Sequence, residues 1–263
     1  MAALNLLQLS DLHILAQPGH TMLGIDTEYY FRLTLHHAHT KYGPFDLILL
    51  TGDLAQDPFI DSYRRIAEDL QHYQTPCLCL PGNHDDFSAM QAVFQGDLIS
   101  CSRHVLLPGW QIIALNSQKP DSPVGRLDNQ ELQFLEETLR AELNLPTLLV
   151  MHHPCVASDS PWLDTMKIEN SDALIDMIQR FDNIKAIVCG HIHQELAAWT
   201  GKIPVYATPS TCFQFTPYSR EFSIDDKPPG YRILNLNADG SLQTFCDRIP
   251  EALGTLDRNA HGY

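Results

Sequence analysis

The sequence predicts an α/β protein, a mixed sandwich of two sheets flanked by helices. Two patterns carry that prediction. Up to about residue 193, short apolar runs alternate with helix-compatible stretches. Beyond it, apolar runs follow one another across turn signals with no helix between them. A third pattern says where chemistry would sit: five runs end in clusters of Asp, Asn or His, and ligands of open α/β sheets bind outside the carboxyl ends of strands.

The first run, 4–9, leads into Ser10-Asp11-Leu12-His13. Strand alternation would place Asp11 and His13 on one side of an extended segment. A helix is expected over 27–42, with His36, His37 and His39 fanned around it as surface residues. The run 46–50 opens onto Thr51-Gly52-Asp53, and a helix over 59–73 follows. The run 77–80 passes through Pro81 into Gly82-Asn83-His84-Asp85, where Gly-Asn is turn chemistry.

A short helix over 88–94 and strands over 104–107 and 111–115 come next, then a Pro/Gly/Ser loop, 117–125. Asp128 with Glu131 has capping-box spacing and starts a helix over 129–142, amphipathic through Leu132, Leu135 and Leu139. The run 147–151 ends in His152-His153-Pro154. A Ser/Pro/Asp-rich loop, a helix over 172–180 and the run 184–189 lead to Gly190-His191-Ile192-His193. The runs 203–207, 231–236 and 242–249 read as antiparallel strands. One domain over 1–249 is expected, with 250–263 a loosely held tail.

At 263 residues, 44% hydrophobic and 19% charged, the chain is globular in composition. No apolar stretch approaches bilayer length, and no basic segment precedes the first apolar run, so a cytoplasmic protein without a membrane partner is expected. Seven scattered cysteines with no C-x-x-C pair oppose a disulfide framework or a zinc ribbon. A net charge of -15 opposes a nucleic-acid partner. It leaves room for a small phosphorylated substrate, because bound cations reverse the local field. A homo-oligomer is left open.

The strand ends supply Asp11, His13, Asp53, Asn83, His84, His152, His191 and His193. Imidazoles, carboxylates and one neutral amide without thiolate suit Fe, Mn, Zn or Co rather than Ca. In order, Asp11-Leu12-His13, Gly52-Asp53, Gly82-Asn83-His84-Asp85, His152 and Gly190-His191-Ile192-His193 resemble the five blocks of the calcineurin-like metallophosphoesterases, across about residues 9–193.

That resemblance implies a four-layer α-β-β-α sandwich of two mixed sheets. It implies two divalent or mixed-valence transition-metal ions, iron foremost, with manganese, zinc or cobalt as alternatives. Asp11, His13 and His193 would hold one ion, Asn83, His152 and His191 the other, and Asp53 would bridge them. His84 would face the phosphate or the leaving group as general acid. Substrate would touch His13, Asp53, Asn83, His84 and His193. Two ions roughly 3.5–4 Å apart clamp an in-line displacement at phosphorus. His153 reads as a packing or hydrogen-bonding residue, and Asp85 as orienting His84 or closing the turn.

The segments Ala55-Gln56-Asp57, Gln194-Glu195, 207–215 and 228–232 are similar to the bacterial class III 3′,5′-cyclic nucleotide phosphodiesterases, extending the likeness over nearly the whole chain. This resemblance implies hydrolysis of cyclic AMP to 5′-AMP by a metal-bound hydroxide. A broader diesterase acting on, for example, glycerophosphodiesters is the alternative. A non-catalytic scaffold is disfavoured, because every ligand position is filled. Asn116 stands where the family often carries Asp. Trp162, Phe213 or Phe215 would offer a stacking face for the base or else serve as core or dimer-contact residues, and Thr208 and Ser210 would bond phosphate or ribose or hold their loop.

Overall fold

A computed structural model describes residues 3–258 and 260. The first half is built from β1 (Leu4–Leu9), α1 (Thr27–Tyr42), β2 (Leu47–Thr51), α2 (Ile60–Gln71), β3 (Cys77–Leu80), α3 (Phe87–Val93) and β4 (Ile99–Ser100). The middle adds β5 (His104–Leu107), β6 (Trp110–Ala114), α4 (Asn129–Ala141), β7 (Thr147–Val150), α5 (Pro161–Asp164), α6 (Ser171–Ile178) and β8 (Ile184–Cys189). The last part is strands alone: β9 (Leu196–Thr200), β10 (Ile203–Ala207), β11 (Gln214–Phe215), β12 (Ile224–Asp225), β13 (Gly230–Leu236) and β14 (Leu242–Arg248).

Two six-stranded sheets form, in the orders β14-β13-β1-β2-β3-β4 and β5-β6-β7-β8-β10-β9. β1 to β4 run parallel in the first, and β6, β7, β8 and β10 in the second, while β13, β14, β5 and β9 pair antiparallel. Both sheets are mixed. The reading of 203–207 as antiparallel is therefore half right: β10 is parallel to β8 and antiparallel to β9, an Ala-rich strand whose weak apolar signal the sequence reading passed over.

Strand alternation sorts the apolar residues into three layers of core. Leu4 and Leu6 of β1 join Leu49, Leu78, Ile112, Leu148 and Val188 between the sheets, whereas Leu7 and Leu9 face Phe31, Leu35 and Ile66 of α1 and α2. On the outer face of the second sheet, Leu135, Leu139, Leu174 and Ile178 of α4 and α6 cover Ile113, Leu149 and Ile187. The result is the α-β-β-α sandwich. Strands buried on both faces must be apolar throughout, which is why the five runs stood out.

Asp128 caps α4 by accepting from Glu131 N at 2.8 Å. The Glu131 carboxylate turns instead to Arg103 and the N–H of Asn116, so only half of the capping box forms. Of the three α1 histidines only His36 is exposed; His37 Nδ1 meets Tyr231 Oη at 2.9 Å, and His39 packs on Tyr73 and Phe45. The seven cysteines are free. The described tail lies along the body: Tyr29 Oη donates to Glu251, Gly254 N to Tyr30 Oη at 2.8 Å and Asp257 N to Leu23 O at 2.9 Å. His261 to Tyr263 and Asn259 lie outside the described residues. No described helix is long and apolar enough to cross a membrane.

Candidate active site

The parallel strands β1, β2 and β3 of one sheet and β7 and β8 of the other deliver their following loops to one place. Asp11 and His13 do arrive together, though not by strand alternation. β1 has ended at Leu9, and both residues lie in the left-handed region with φ of 56° and 49°. Their N–H groups donate to the carbonyls of Gly52 at 3.0 Å and Asp53 at 2.9 Å, lacing the first loop to the second. Asp53, His191 and His193 are left-handed too, with φ of 51°, 71° and 47°. Such non-glycine conformations cluster at functional sites, where surrounding bonds over-determine them.

Two glycines let the loops close. Gly52 has φ +92°, and a side chain there would strike the His152 ring. One on Gly82 would strike the Asp53 carboxylate.

Three histidines point their Nε2 atoms inward because each Nδ1 is held by an oxygen. His152 Nδ1 lies 2.7 Å from Thr51 O, His193 Nδ1 2.9 Å from Phe213 O and His13 Nδ1 2.7 Å from Gln56 Oε1. An N–H at Nδ1 leaves a lone pair at Nε2, the tautomer that binds metals. His13 Nε2 and His193 Nε2 then face each other at 3.1 Å, with Asp11 Oδ1 3.4 Å from the latter. With both lone pairs turned inward, a cation between them would relieve their repulsion.

On the other side, His152 Nε2 stands 3.3 Å from His191 Nδ1 and 3.2 Å from Asp53 Oδ2. That same Oδ2 is 3.9 Å from His13 Nε2, so Asp53 sits between the two histidine groups. Donor atoms of Asp11, His13 and His193 lie within 4.8 Å of one another, as do those of Asp11, Asp53 and His152, and those of His13, Asp53 and His84. Asn83 Oδ1 and Asp53 Oδ2 are buried with no hydrogen-bond partner. Orphaned acceptors, inward lone pairs and a shared carboxylate fit two transition-metal ions.

The electrostatics divide the histidines. Burial holds His13 and His191 down to about 3, in the neutral form that ligates. Burial opposes the charge on His152 also, but Asp53 and Asp11 outweigh it and push His152 up to about 9, so a metal ion taking its Nε2 would displace a proton held there by the carboxylates. Against its own burial, Asp53 is held well below the usual carboxylate range by His152, His84 and His13.

Several residues take roles the sequence left open. Asp85 closes its turn, one of the two roles the sequence offered, and does more. It accepts from Gly82 N at 2.9 Å, Ala55 N at 3.0 Å, Leu54 N at 3.1 Å and Tyr63 Oη at 3.0 Å, tying the second loop to the third. His153 bonds Ser117 Oγ at 2.8 Å, in an earlier loop of the chain and not the next one, and a ring nitrogen also falls within 4.8 Å of the donors of His152 and His191. Ser210 Oγ donates to Asp11 O at 2.7 Å and holds its loop. Phe213 and Phe215 are buried against His193, and Trp162 packs on Phe215 and Phe222, so these rings form wall rather than open face. Gln56, which fixes His13, was legible only as part of a similar segment.

The model of the calcineurin-like phosphoesterase family matches residues 4–195. The chain belongs to that family. Over 264 residues it is 38% identical to the 3′,5′-cyclic adenosine monophosphate phosphodiesterase CpdA of Escherichia coli strain K12, spanning 100% of this chain and 96% of that protein. Over 254 residues it is 35% identical to a 3′,5′-cyclic-nucleotide phosphodiesterase of Nostoc sp., with 95% and 94% of the two chains covered. The fold resembles a dimetal phosphatase from Danio rerio, with a TM-score of 0.64 at 12% identity over 93% of this chain and 99% of the other.

Proposed function

We propose that this chain is a dinuclear-metal phosphodiesterase that hydrolyses 3′,5′-cyclic AMP to 5′-AMP. The observation that carries the reading is Asp53 Oδ2, unpartnered and set between His152 Nε2 at 3.2 Å and His13 Nε2 at 3.9 Å. Full-length likeness to enzymes named for cyclic nucleotides supports the substrate.

Asp11, His13 and His193 would hold one ion and Asn83, His152 and His191 the other, with Asp53 shared between the two groups. Iron or manganese suits this donor set, with zinc or cobalt as substitutes. When bound, two such ions polarise the phosphoryl oxygens and make a water between them acidic. The two carboxylates offset only half the charge of two divalent ions, which leaves a cationic site suited to a diester monoanion.

The chain itself supplies orientation and a proton. His84 is half-buried, its ring centroid is 5.1 Å from that of His13, and its N–H donates to Asp53 Oδ1 at 2.9 Å. The imidazole is the donor that protonates O3′ as the P–O3′ bond breaks. Substrate phosphate rests against His13, Asp53, Asn83, His84 and His193.

Protein reconstituted separately with iron, manganese, zinc and cobalt tests the reading through kcat/KM for cyclic AMP and for glycerophosphodiesters. Cyclic AMP is expected to lead the panel; a glycerophosphodiester ahead of it would replace the substrate.

A further inference from the structure

A cavity of about 320 Å³ opens beside the metal centre. His193 borders both: its Nε2 faces Asp11 and His13, and its ring is stacked on Phe215 at 4.4 Å, another wall of the cavity. The volume is at the small end of the range for small-molecule sites. Lys227 and Arg248 are matched at its edge by Glu195 and Asp225, with Lys227 Nζ 3.2 Å from Asp225. Balanced charge does not select a second phosphate. It suits a neutral ring with hydrogen-bonding edges.

One further feature points to such a ring. Tyr218 lines the cavity yet is 75% exposed, with φ of 63° and its N–H donated to Ser160 Oγ at 3.0 Å. An aromatic face is thus held at the rim with little of it covered. Deeper in the wall, Gln214 is 1% exposed, and its Oε1 has no hydrogen-bond partner. Its Nε2 donates to Ser210 O at 2.9 Å and Cys212 O at 3.4 Å, so the amide cannot turn over without losing both bonds. Oε1 is closed off from solvent, so Gln214 braces the 210–212 loop behind the wall and is out of a ligand's reach.

Resting on the cyclic nucleotide reading above, we infer that this cavity receives the purine, stacked on Tyr218. Tyr218 is a base-binding residue that stands apart from the eight polar groups of the centre.

The test compares the metal-loaded wild type with Tyr218→Ala and Tyr218→Phe on cyclic AMP, cyclic GMP and methyl p-nitrophenyl phosphate, a diester without a base. Tyr218→Ala should raise KM for cyclic AMP about tenfold, as expected for a lost stacking partner, with kcat within about twofold. Tyr218→Phe should behave as wild type, and neither change should alter kinetics on the base-free diester. An unchanged KM for cyclic AMP in Tyr218→Ala, or an equal loss on the base-free diester, overturns the assignment of the cavity while leaving the reaction standing. Wild-type turnover of the base-free diester alone, with neither cyclic nucleotide cleaved, overturns both.

Discussion

The main-chain N–H of His84 donates to Oδ1 of Asp53 at 2.9 Å. The proposed acid is thereby fixed to the proposed bridging ligand through backbone, independently of its own imidazole. His84→Ala keeps that bond. It should lower kcat on cyclic AMP by about 10²- to 10⁴-fold, the range for a lost general acid, with bound metal, counted by elemental analysis, near the wild-type value.

Asp53→Ala should behave differently. It removes both the oxygen that meets His84 N and the one set between the histidine groups. Elemental analysis should find less metal together with the lost turnover; full metal occupancy would remove Asp53 from the bridging position.

The buried carboxylate of Asp85 holds three backbone N–H groups and the Tyr63 hydroxyl. Asp85→Ala leaves those donors unsatisfied, and urea unfolding should show a loss of roughly 2–4 kcal/mol. Tyr63→Phe, which removes one donor and keeps the ring, should cost about 1 kcal/mol.

Chelation of the bound ions should lower the melting temperature by an amount that depends on metal concentration. The Nε2 atoms of His13 and His193 face each other at 3.1 Å and Asp53 Oδ2 has no hydrogen-bond partner, contacts that bound ions would satisfy. Calorimetric scans with and without added manganese measure the shift, and identical scans would argue against ions at this site.

A pH effect is expected away from the centre. Partial burial pushes Asp247 upward, but hydrogen bonds from Lys41 and Tyr42 outweigh it and hold the carboxyl down at about 2, against 3.8 for a free side chain. A carboxylate depressed in the folded state stabilises above its unfolded pKa, and the contribution is lost as pH falls through 3.8 towards 2. Because solvent reaches the group, about 1 kcal/mol is expected. The difference in urea midpoint between wild type and Asp247→Asn should be constant above about pH 5 and shrink below pH 4.

The layered fold and the eight polar residues were legible because each signal is local. An apolar run buried on both faces stops abruptly at Asp11, Asp53, Asn83, His152 or His191, and neighbours in sequence report the change. What stayed hidden depends on contacts between distant segments. The parallel pairing of β10 with β8 follows from a crossover through β9, which no single run announces. Asp85 closes its turn through Gly82 N as the sequence offered, but its other donors lie as far back as Leu54, 31 positions away, where no local signal reaches. The left-handed backbone of Asp11 and His13 is imposed by bonds to Gly52 and Asp53, so strand alternation gave the right neighbours for the wrong reason. Tyr218 passed unnoticed among more apolar aromatics, since exposure is not written in a residue's type.

The central claim is tested most directly by the fate of oxygen. Metal-loaded protein is incubated with cyclic AMP in water enriched in the heavy oxygen isotope, and the product is identified by mass spectrometry. The account predicts 5′-AMP carrying one heavy oxygen on phosphorus, from attack by solvent with cleavage of the P–O3′ bond. Formation of 3′-AMP, or no product from protein carrying two ions, would contradict it.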